Sequence, residues 1–247
     1  MRRPPKEPKR ANMPDPEFAF VPAPPPSATL SPPTWYFERQ VWDDGYLRVA
    51  GADEAGRGCL AGPVVAAAVI LDPQKPVRGL RDSKLLDETE RLRLADRVRE
   101  RSRAWAIGIC SPDEIDTLNI LWASMEAMRR AVEALPESAD YLLIDGNQRI
   151  PGAPCPSRSI IKGDARSRTI AAASILAKTY RDALMRGLHE AHPDYGWDSN
   201  VGYPTPEHYR ALDLHGPTSL HRRSFRLSTE PPAQVTCVEL FTARGLT

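Results

Sequence analysis

The sequence of 247 residues lacks any apolar run near the roughly 18 residues that a membrane-spanning helix requires. Its first residues, 1–5, carry positive charge with no apolar stretch after it, which is not the pattern of a secretory signal. We therefore expect a cytoplasmic protein with no membrane partner. The apolar content of 41% and the charged content of 26% are ordinary for a globular protein, and the length favours one domain.

Cysteine pairs and metal-binding histidine spacings are also missing. The four cysteines lie far apart with no C-x-x-C pair, so the sequence indicates neither a zinc cluster nor a disulfide framework. The five histidines fall in the last quarter without an H-x-x-x-H spacing, and we expect surface or capping positions for most of them. A net charge of +1 gives no global field that would attract nucleic acid. Basic residues do cluster near both ends and around Asp164, where a solvated surface and a nucleic-acid contact both remain open.

Proline is distributed unevenly and divides the chain. Of the 25 prolines, 11 lie between Pro4 and Pro33, in a segment that cannot bury a core. We predict a disordered, basic and proline-rich tail over residues 1–40, one folded domain over residues 41–229, and a short C-terminal appendage over residues 230–247. The N-terminal tail is interpreted as an arm that binds a partner or tethers nucleic acid.

Strand and helix patterns alternate within the predicted domain. Apolar runs predict strands at residues 46–52, 64–71, 104–110, 141–144 and 159–161. Capping boxes and helical spacing predict helices over residues 88–103, 111–135 and 167–189. This order predicts an α/β fold with a central mixed five-stranded sheet, its first three strands antiparallel, flanked by helices and followed by a C-terminal helical region.

A glycine-rich segment, GADEAGRGCLAGPVV at residues 51–65, joins the first two predicted strands. It has one residue too many for the dinucleotide-binding template G-x-G-x-x-G. It also lacks the Gly-Lys-Ser/Thr ending of an ATP-binding loop, because Pro63 follows Gly62. A nucleotide-dependent enzyme is therefore poorly supported, and Gly62-Pro63 is interpreted as the turn into the second strand.

Four carboxylates fall where predicted strands end or a helix begins. Asp53 and Glu54 follow the first strand, Asp145 follows the fourth, and Asp164 precedes the last long helix. Taken singly, each is also compatible with a solvated strand end, a turn or a helix cap. If neighbouring strand ends share one crevice, these groups resist ionisation unless a cation is present. Their joint placement favours a site for Mg²⁺ or Mn²⁺, which prefer oxygen ligands.

An ordered series of motifs resembles type 2 ribonuclease H, ribonuclease HII. The motifs are residues 49–67, Asp82-Ser83-Lys84, Leu143-Ile144-Asp145-Gly146, Lys162-Gly163-Asp164, residues 172–178 and Gly202-Tyr203. The resemblance implies an RNase H-like fold and cleavage of the RNA strand of RNA–DNA hybrids, including incision 5′ of a single ribonucleotide embedded in duplex DNA. Type 3 enzymes usually carry glutamate at the fourth acidic position and a folded domain in front, so Asp164 and the predicted tail favour type 2.

The resemblance also implies roles for individual residues. The family's four metal-binding acids, which hold a two-metal site, correspond to Asp53, Glu54, Asp145 and Asp164. In the family, Gly56-Arg57-Gly58 approaches the ribose 2′-hydroxyl largely through backbone groups, and Tyr203 corresponds to the tyrosine that stacks on the sugar of the following deoxynucleotide. Further predicted phosphate contacts are Ser83, Lys84, Lys162, Arg166, Lys178 and Arg222.

The predicted chemistry is hydrolysis of a phosphodiester with two metal ions, which leaves 5′-phosphate and 3′-hydroxyl ends. A non-catalytic module that binds hybrids is the main alternative. Retention of all four carboxylates argues against it, because a simple binder gains nothing from negative charge beside phosphates. We expect the protein to act as a monomer on RNA–DNA hybrid and on duplex DNA that contains ribonucleotides.

Overall fold

The computed structural model describes residues 32–228, and these form a five-stranded sheet in the order β3-β2-β1-β4-β5. The strands are β1 (Val49–Ala55), β2 (Val64–Leu71), β3 (Ser102–Cys110), β4 (Tyr141–Asp145) and β5 (Ser157–Ile160). Strands β1, β2 and β3 pair antiparallel, whereas β4 runs parallel to β1 and β5 runs parallel to β4. The predicted mixed sheet with three antiparallel first strands is thus confirmed.

Helices cover the sheet and continue beyond it at the C-terminal end. They are α1 (Tyr36–Asp43), α2 (Glu88–Arg101), α3 (Pro112–Leu118), α4 (Ile120–Glu133), α5 (Arg168–Ala191), α6 (Trp197–Asn200) and α7 (Pro206–His215). The prediction of one helix over residues 111–135 is wrong, because Asn119 adopts φ 67° and separates α3 from α4. Its side-chain oxygen then caps α4 by accepting the N–H groups of Leu121 and Trp122. Among the described residues, no helix is long and apolar enough to cross a membrane.

Small residues allow the helices to lie close to the sheet. Helix α5 packs on β1 and β2, and α4 packs on β2 and β3 from the other face. A Cβ atom at Gly51 would lie 2.3 Å from the backbone carbon of Thr169, and one at Gly108 would lie 2.0 Å from the carbonyl oxygen of Ala127. Both glycines are therefore required for the close contact of strand and helix. Strand β2 is buried along its whole length between the two helical layers.

The first strand extends further than predicted, since it runs to residue 55 rather than 52. Asp53 and Glu54 lie inside the strand, where they pair with Ala67 and Ala66 of β2. Acidic residues are uncommon in strands, which is why the apolar pattern ends too early, but the backbone ladder to β2 continues through them. The two carboxylates are therefore held by a regular ladder rather than by a loop.

The domain also begins earlier than predicted. Assignment of residues 36–40 to the tail is wrong, because they form most of α1. Phe37 and Val41 on this helix are buried in a cluster with Leu143 and Ile170, so α1 contributes to the core. The remaining predictions for the tail, residues 1–31, and for the C-terminal appendage, residues 230–247, lie outside the described residues.

Candidate active site

The four predicted carboxylates come together at one end of the sheet. Asp53 and Glu54 lie near the C-terminal end of β1, and Asp145 is the last residue of β4. Because these two strands are parallel neighbours, their C-terminal ends meet at the same edge. Asp164 reaches this edge from the short 3-10 turn at residues 163–165, which follows β5.

Burial and mutual repulsion raise the pKa values of these acids. Asp53 is 5% exposed, and its pKa lies well above the usual range, first because of burial and then because of the charges on Glu54, Asp145 and Asp164. Burial also raises the pKa of Asp145 and of Asp164, with neighbouring carboxylates adding to the effect. The arrangement concentrates negative charge where it is poorly solvated, so a cation would be bound favourably there.

Hydrogen bonds fix the orientation of the acids. The Asp145 Oδ1 atom accepts the backbone N–H of Gly163 at 2.6 Å, which ties β4 to the turn that carries Asp164. A Cβ atom at Gly163 would lie 2.6 Å from the side chain of Ile170, so glycine is needed for this approach. Asp53 accepts a hydrogen bond from Ser174 on α5, which lowers its pKa against the other influences.

Ser83 lies behind these acids rather than in front of them. Its side chain is 4% exposed, and its Oγ atom is 3.0 Å from the Oγ atom of Ser174, the partner of Asp53. The predicted phosphate contact through this hydroxyl is therefore wrong in this arrangement, because the hydroxyl is directed into a buried pair. Ser83 instead supports the position of Asp53 through Ser174.

The predicted lysine and arginine contacts fall in different surroundings. The exposed Lys84 places its Nζ atom 3.6 Å from the Asp164 carboxylate; partial burial acts to lower its pKa, but the charge of Asp164 and other acids raises it overall. Lys162 is exposed two residues before Asp164. Lys178 bonds to Asp182 at 2.7 Å beside the ring of Tyr203. These three lysines remain predicted phosphate contacts.

Arg166 has a different role from the one predicted for it. Its guanidinium lies 4.9 Å from the ring centre of Phe37 and donates to the carbonyl of Ile161 at 3.1 Å. These contacts attach α1 to the turn that precedes α5. The guanidinium is engaged within the protein, so the prediction that it binds phosphate is not supported by its position.

The carboxylate cluster fits hard divalent cations by its donor chemistry. In residues 32–228, no three His, Cys, Asp or Glu side chains converge closely enough to form a ready-made set of metal ligands. Mg²⁺, however, is usually held by one or two carboxylates together with water and substrate phosphates, so a closed protein cage is not expected. Oxygen donors that raise one another's pKa values are suited to such an ion.

The segment of residues 56–63, here called the glycine loop, is supported on its buried side by two fully buried arginines. Arg222 donates to the carbonyls of Gly56, Arg57 and Gly62 at 2.7, 2.9 and 3.0 Å. Arg181 of α5 donates to the carbonyls of Pro63, Ala61 and Val201 at 3.1, 3.0 and 2.9 Å.

This arrangement overturns the prediction for Arg222. Its guanidinium is fully buried and its donors are used by carbonyls, so a phosphate contact is excluded by position. Burial lowers the pKa of Arg222 to about 10, which leaves the group charged at neutral pH. Arg181 is not predicted from the sequence, because an arginine in an amphipathic helix gives no signal that it is buried.

Tyr203 lies beside the glycine loop. Its side chain is 37% exposed, and its ring is flanked by Lys178 and Arg181 at 5.2 and 5.9 Å. The preceding Gly202 accepts the N–H of Leu60 at 2.8 Å, which joins the turn of Tyr203 directly to the loop. A partly exposed aromatic ring therefore lies next to the glycine loop.

Comparison with known proteins identifies the family of this chain. A profile of the family described as Ribonuclease HII matches residues 50–228. The chain belongs to the ribonuclease HII family. Ribonuclease HII of Salinibacter ruber is 58% identical over 193 residues, which cover 77% of this chain and 96% of the relative. Ribonuclease HII members are metal-dependent ribonucleases, so the chain is a hydrolase and the alternative of a non-catalytic module is not supported.

Solved structures of ribonuclease HII relatives share the fold. The ribonuclease H2 from Pyrococcus horikoshii OT3 has a TM-score of 0.62 and 25% identity, over 74% of this chain and 95% of that one. A second match, from the PCNA:RNase HII complex of Archaeoglobus fulgidus, has a TM-score of 0.60 and 27% identity, over 75% and 98% of the two chains. The predicted RNase H-like fold is confirmed. Helix α1 precedes the residues that the ribonuclease HII profile matches.

Two of the five histidines of this ribonuclease HII chain, His208 and His221, are buried and are exceptions to the surface or capping positions expected for most of them. Trp197 donates its ring N–H to the Nε2 atom of His208 at 3.2 Å, and the Nε2 atom of His221 lies 3.1 Å from the same atom. The Nδ1 atom of His208 is 2.9 Å from the carbonyl of Tyr203, while that of His221 accepts the N–H of Thr218. Burial lowers the pKa of both, to about 4 for His221, so the pair is neutral and structural.

Proposed function

We propose that this ribonuclease HII cleaves the RNA strand of RNA–DNA hybrids and incises 5′ of single ribonucleotides embedded in duplex DNA. The observation that carries the proposal is the meeting of four carboxylates from three chain segments at one edge of the sheet, next to the glycine loop. A binding module would avoid such charge beside phosphates, whereas a metal-dependent nuclease requires it.

Mg²⁺ or Mn²⁺, when bound, would supply an activated water and positive charge for the transition state and for the departing 3′ oxygen. Asp53, Glu54, Asp145 and Asp164 are the residues that would hold these ions. The positions of Asp53 and Asp145 are set in advance by Ser174 and by the backbone N–H of Gly163, respectively. Such preorganisation limits the movement that the acids must make when substrate arrives.

Three kinds of group would position the nucleic acid. Lys84 and Lys162 stand at the rim of the acidic crevice, where they would contact phosphates and fix the register without reading sequence. The exposed ring of Tyr203 offers a face for the sugar of the deoxynucleotide that follows the ribonucleotide. The glycine loop would read the 2′-hydroxyl, the group by which a protein distinguishes RNA from DNA at one nucleotide.

Hydrolysis by water leaves a 5′-phosphate and a 3′-hydroxyl, whereas attack by the ribose 2′-hydroxyl would leave a cyclic phosphate. The buried histidine pair is neutral and fully engaged, so it does not provide the acid and base that cyclisation would require. The proposed reaction is therefore direct hydrolysis.

The test is metal-dependent cleavage of a long RNA–DNA hybrid by the wild type and by Asp145→Asn. Loss of one ligand removes stabilisation worth several kcal/mol in the transition state, so we expect a fall in activity of about 100-fold or more. Asp213→Asn on α7 is the matched control, because it removes the same charge from an exposed position. Full activity of Asp145→Asn, or cleavage by the wild type in EDTA, would overturn the proposal.

A further inference from the structure

The two arginines beneath the glycine loop are unusual in their surroundings. Arg181 and Arg222 are both fully buried, and within residues 32–228 neither forms an ion pair with a carboxylate. Burial of a charge without a counter-charge is costly unless its hydrogen bonds are satisfied. Here each of the six guanidinium nitrogens of the two arginines donates to a carbonyl group, and five of these carbonyls belong to the glycine loop.

The carbonyls bound by Arg222 determine where the neighbouring N–H groups point. All peptide bonds in the described residues are trans, so each carbonyl and the N–H of the next residue point in opposite directions. The carbonyls of Gly56 and Arg57 point inward to Arg222. The N–H groups of Arg57 and Gly58 must therefore point away from the buried guanidinium.

These two N–H groups are free to bind a ligand. Neither forms a backbone hydrogen bond in the part of the chain that the structure describes, whereas the next N–H, that of Cys59, returns to the carbonyl of Gly56. Gly58 is exposed, and a Cβ atom there would meet nothing within 4 Å. Two adjacent donors thus face open space on the side opposite Arg222.

Contacts around Arg222 prevent its guanidinium from turning away. Its own backbone N–H donates to the carbonyl of Leu60 at 2.9 Å, and its guanidinium lies 5.1 Å from the ring centre of Phe225. The next two residues, Arg223 and Ser224, donate their N–H groups to Asp116 of α3 at 2.9 Å each. The guanidinium is therefore a fixed support for the loop.

Arg181 supports the glycine loop at other positions than Arg222 does. It occupies the space under Gly56, where a Cβ atom would lie 2.0 Å from its Nε atom, and Gly56 adopts φ 94°. Its hydrogen bonds go to the end of the loop and to Val201, two residues before Tyr203. Arg181 thus joins the glycine loop to the turn that carries Tyr203, whereas Arg222 fixes the orientation of the peptide groups at Gly56 and Arg57.

We propose that Arg222 is a positioning residue for ribose selectivity: it binds the carbonyls of Gly56 and Arg57 and thereby directs the N–H groups of Arg57 and Gly58 toward the substrate. This inference rests on the proposed function, in which those groups read the 2′-hydroxyl. Arg222 does not contact the substrate. Its effect is on the preference for ribose over deoxyribose rather than on the metal site.

The test measures the affinity of two duplexes of identical sequence, one with a single ribonucleotide and one entirely DNA, together with cleavage of the first. Arg222→Lys keeps the charge, but a single ammonium group cannot span three carbonyls as the planar guanidinium does. We expect the preference for the ribonucleotide duplex to fall about tenfold, as for loss of about one hydrogen bond, with all-DNA affinity unchanged. Arg223→Lys, at the exposed neighbouring position, is the matched control and should keep the preference.

A second variant leaves the arginines intact. Gly58→Ala fits the space in the free protein, so its melting temperature should match the wild type, but its methyl group stands beside the proposed donor and should reduce the ribose preference. An equal loss of affinity for both duplexes in Arg222→Lys would show a merely structural role and overturn the inference. If Arg222→Lys does not fold, an unchanged preference in Gly58→Ala overturns it instead. Absence of any ribose preference in the wild type would contradict the proposed function itself.

Discussion

Replacement of Asp53 by asparagine should stabilise the metal-free protein while it abolishes cleavage. Asp53 is almost fully buried, and its pKa is raised by that burial and by three neighbouring carboxylates. When the pKa of a carboxyl is higher in the folded than in the unfolded state, the protein loses stability as pH rises from the unfolded-state pKa to the folded-state pKa. Above both pKa values the full penalty applies. Asparagine has nearly the same shape without the charge, so it removes that penalty.

The size of the effect follows from what asparagine keeps and what it changes. Its side-chain oxygen can still accept the N–H of Glu54, which Asp53 accepts at 2.8 Å. Its amide N–H groups can donate to the surrounding carboxylates, which had repelled the original charge. Relief of such strain at a functional site is commonly worth about 0.5–2 kcal/mol. For a domain of this size, that corresponds to an increase in melting temperature of roughly 1–8 °C.

The assay is thermal unfolding at pH 8 in EDTA, compared with the same measurement in Mg²⁺ or Mn²⁺. Addition of metal at a concentration ten times its dissociation constant should stabilise the wild type by about 1.4 kcal/mol. Asp53→Asn should be stabilised less by the same metal concentration. Asp213→Asn, the exposed control on α7, should change neither value. An Asp53→Asn protein that melts at or below the wild-type temperature in EDTA would refute the argument that the acids repel one another.

Three further predictions concern other parts of the molecule. Tyr203→Ala should reduce incision at a single ribonucleotide roughly tenfold more than cleavage of a long hybrid, since stacking on a deoxyribose matters most at the junction; equal losses would remove that role. The folded-state pKa of His221 is about 4, against an ordinary 6.5, so its contribution to the free energy of unfolding is complete above pH 6.5. That free energy, measured by urea unfolding, should fall by on the order of 3 kcal/mol as the pH drops to 4. The same pH slope in His221→Asn would contradict this. The buried Glu38 accepts hydrogen bonds from Ser167 and from two groups of Thr169 at the start of α5. Glu38→Ala should therefore destabilise the protein by about 2–4 kcal/mol, as measured by urea unfolding. A change below about 0.5 kcal/mol would show that α1 is not needed at the start of α5.

The sequence was sufficient where local pattern decides structure. Apolar runs locate all five strands to within a few residues, and the acids follow or end those runs, so parallel pairing of β1 with β4 is enough to bring Asp53 and Asp145 to one edge. Helix α1 also had a local signal, because Phe37 and Val41 are spaced by one helical turn. The prolines that end at Pro33 obscured it.

Side-chain direction could not be predicted, because it depends on partners far along the chain. Arg222 reaches the carbonyl of Gly62, which is 160 residues away, and nothing near either residue indicates a buried cation. Ser83 similarly pairs with Ser174, 91 residues away. A hydroxyl within a family motif, Ser83, and a basic residue near the end of the chain, Arg222, therefore predict phosphate contacts, although both side chains support the site from behind.

The most direct measurement is the position and chemistry of the cut in a duplex that contains one ribonucleotide. With Mg²⁺ or Mn²⁺ present, we expect one incision immediately 5′ of the ribonucleotide, with a 3′-hydroxyl on the upstream fragment, a 5′-phosphate on the downstream fragment, and no cut in the matching all-DNA duplex. A cyclic phosphate end, an incision that persists in EDTA, or equal cutting of the all-DNA duplex would contradict the assignment of the four carboxylates and of the glycine loop.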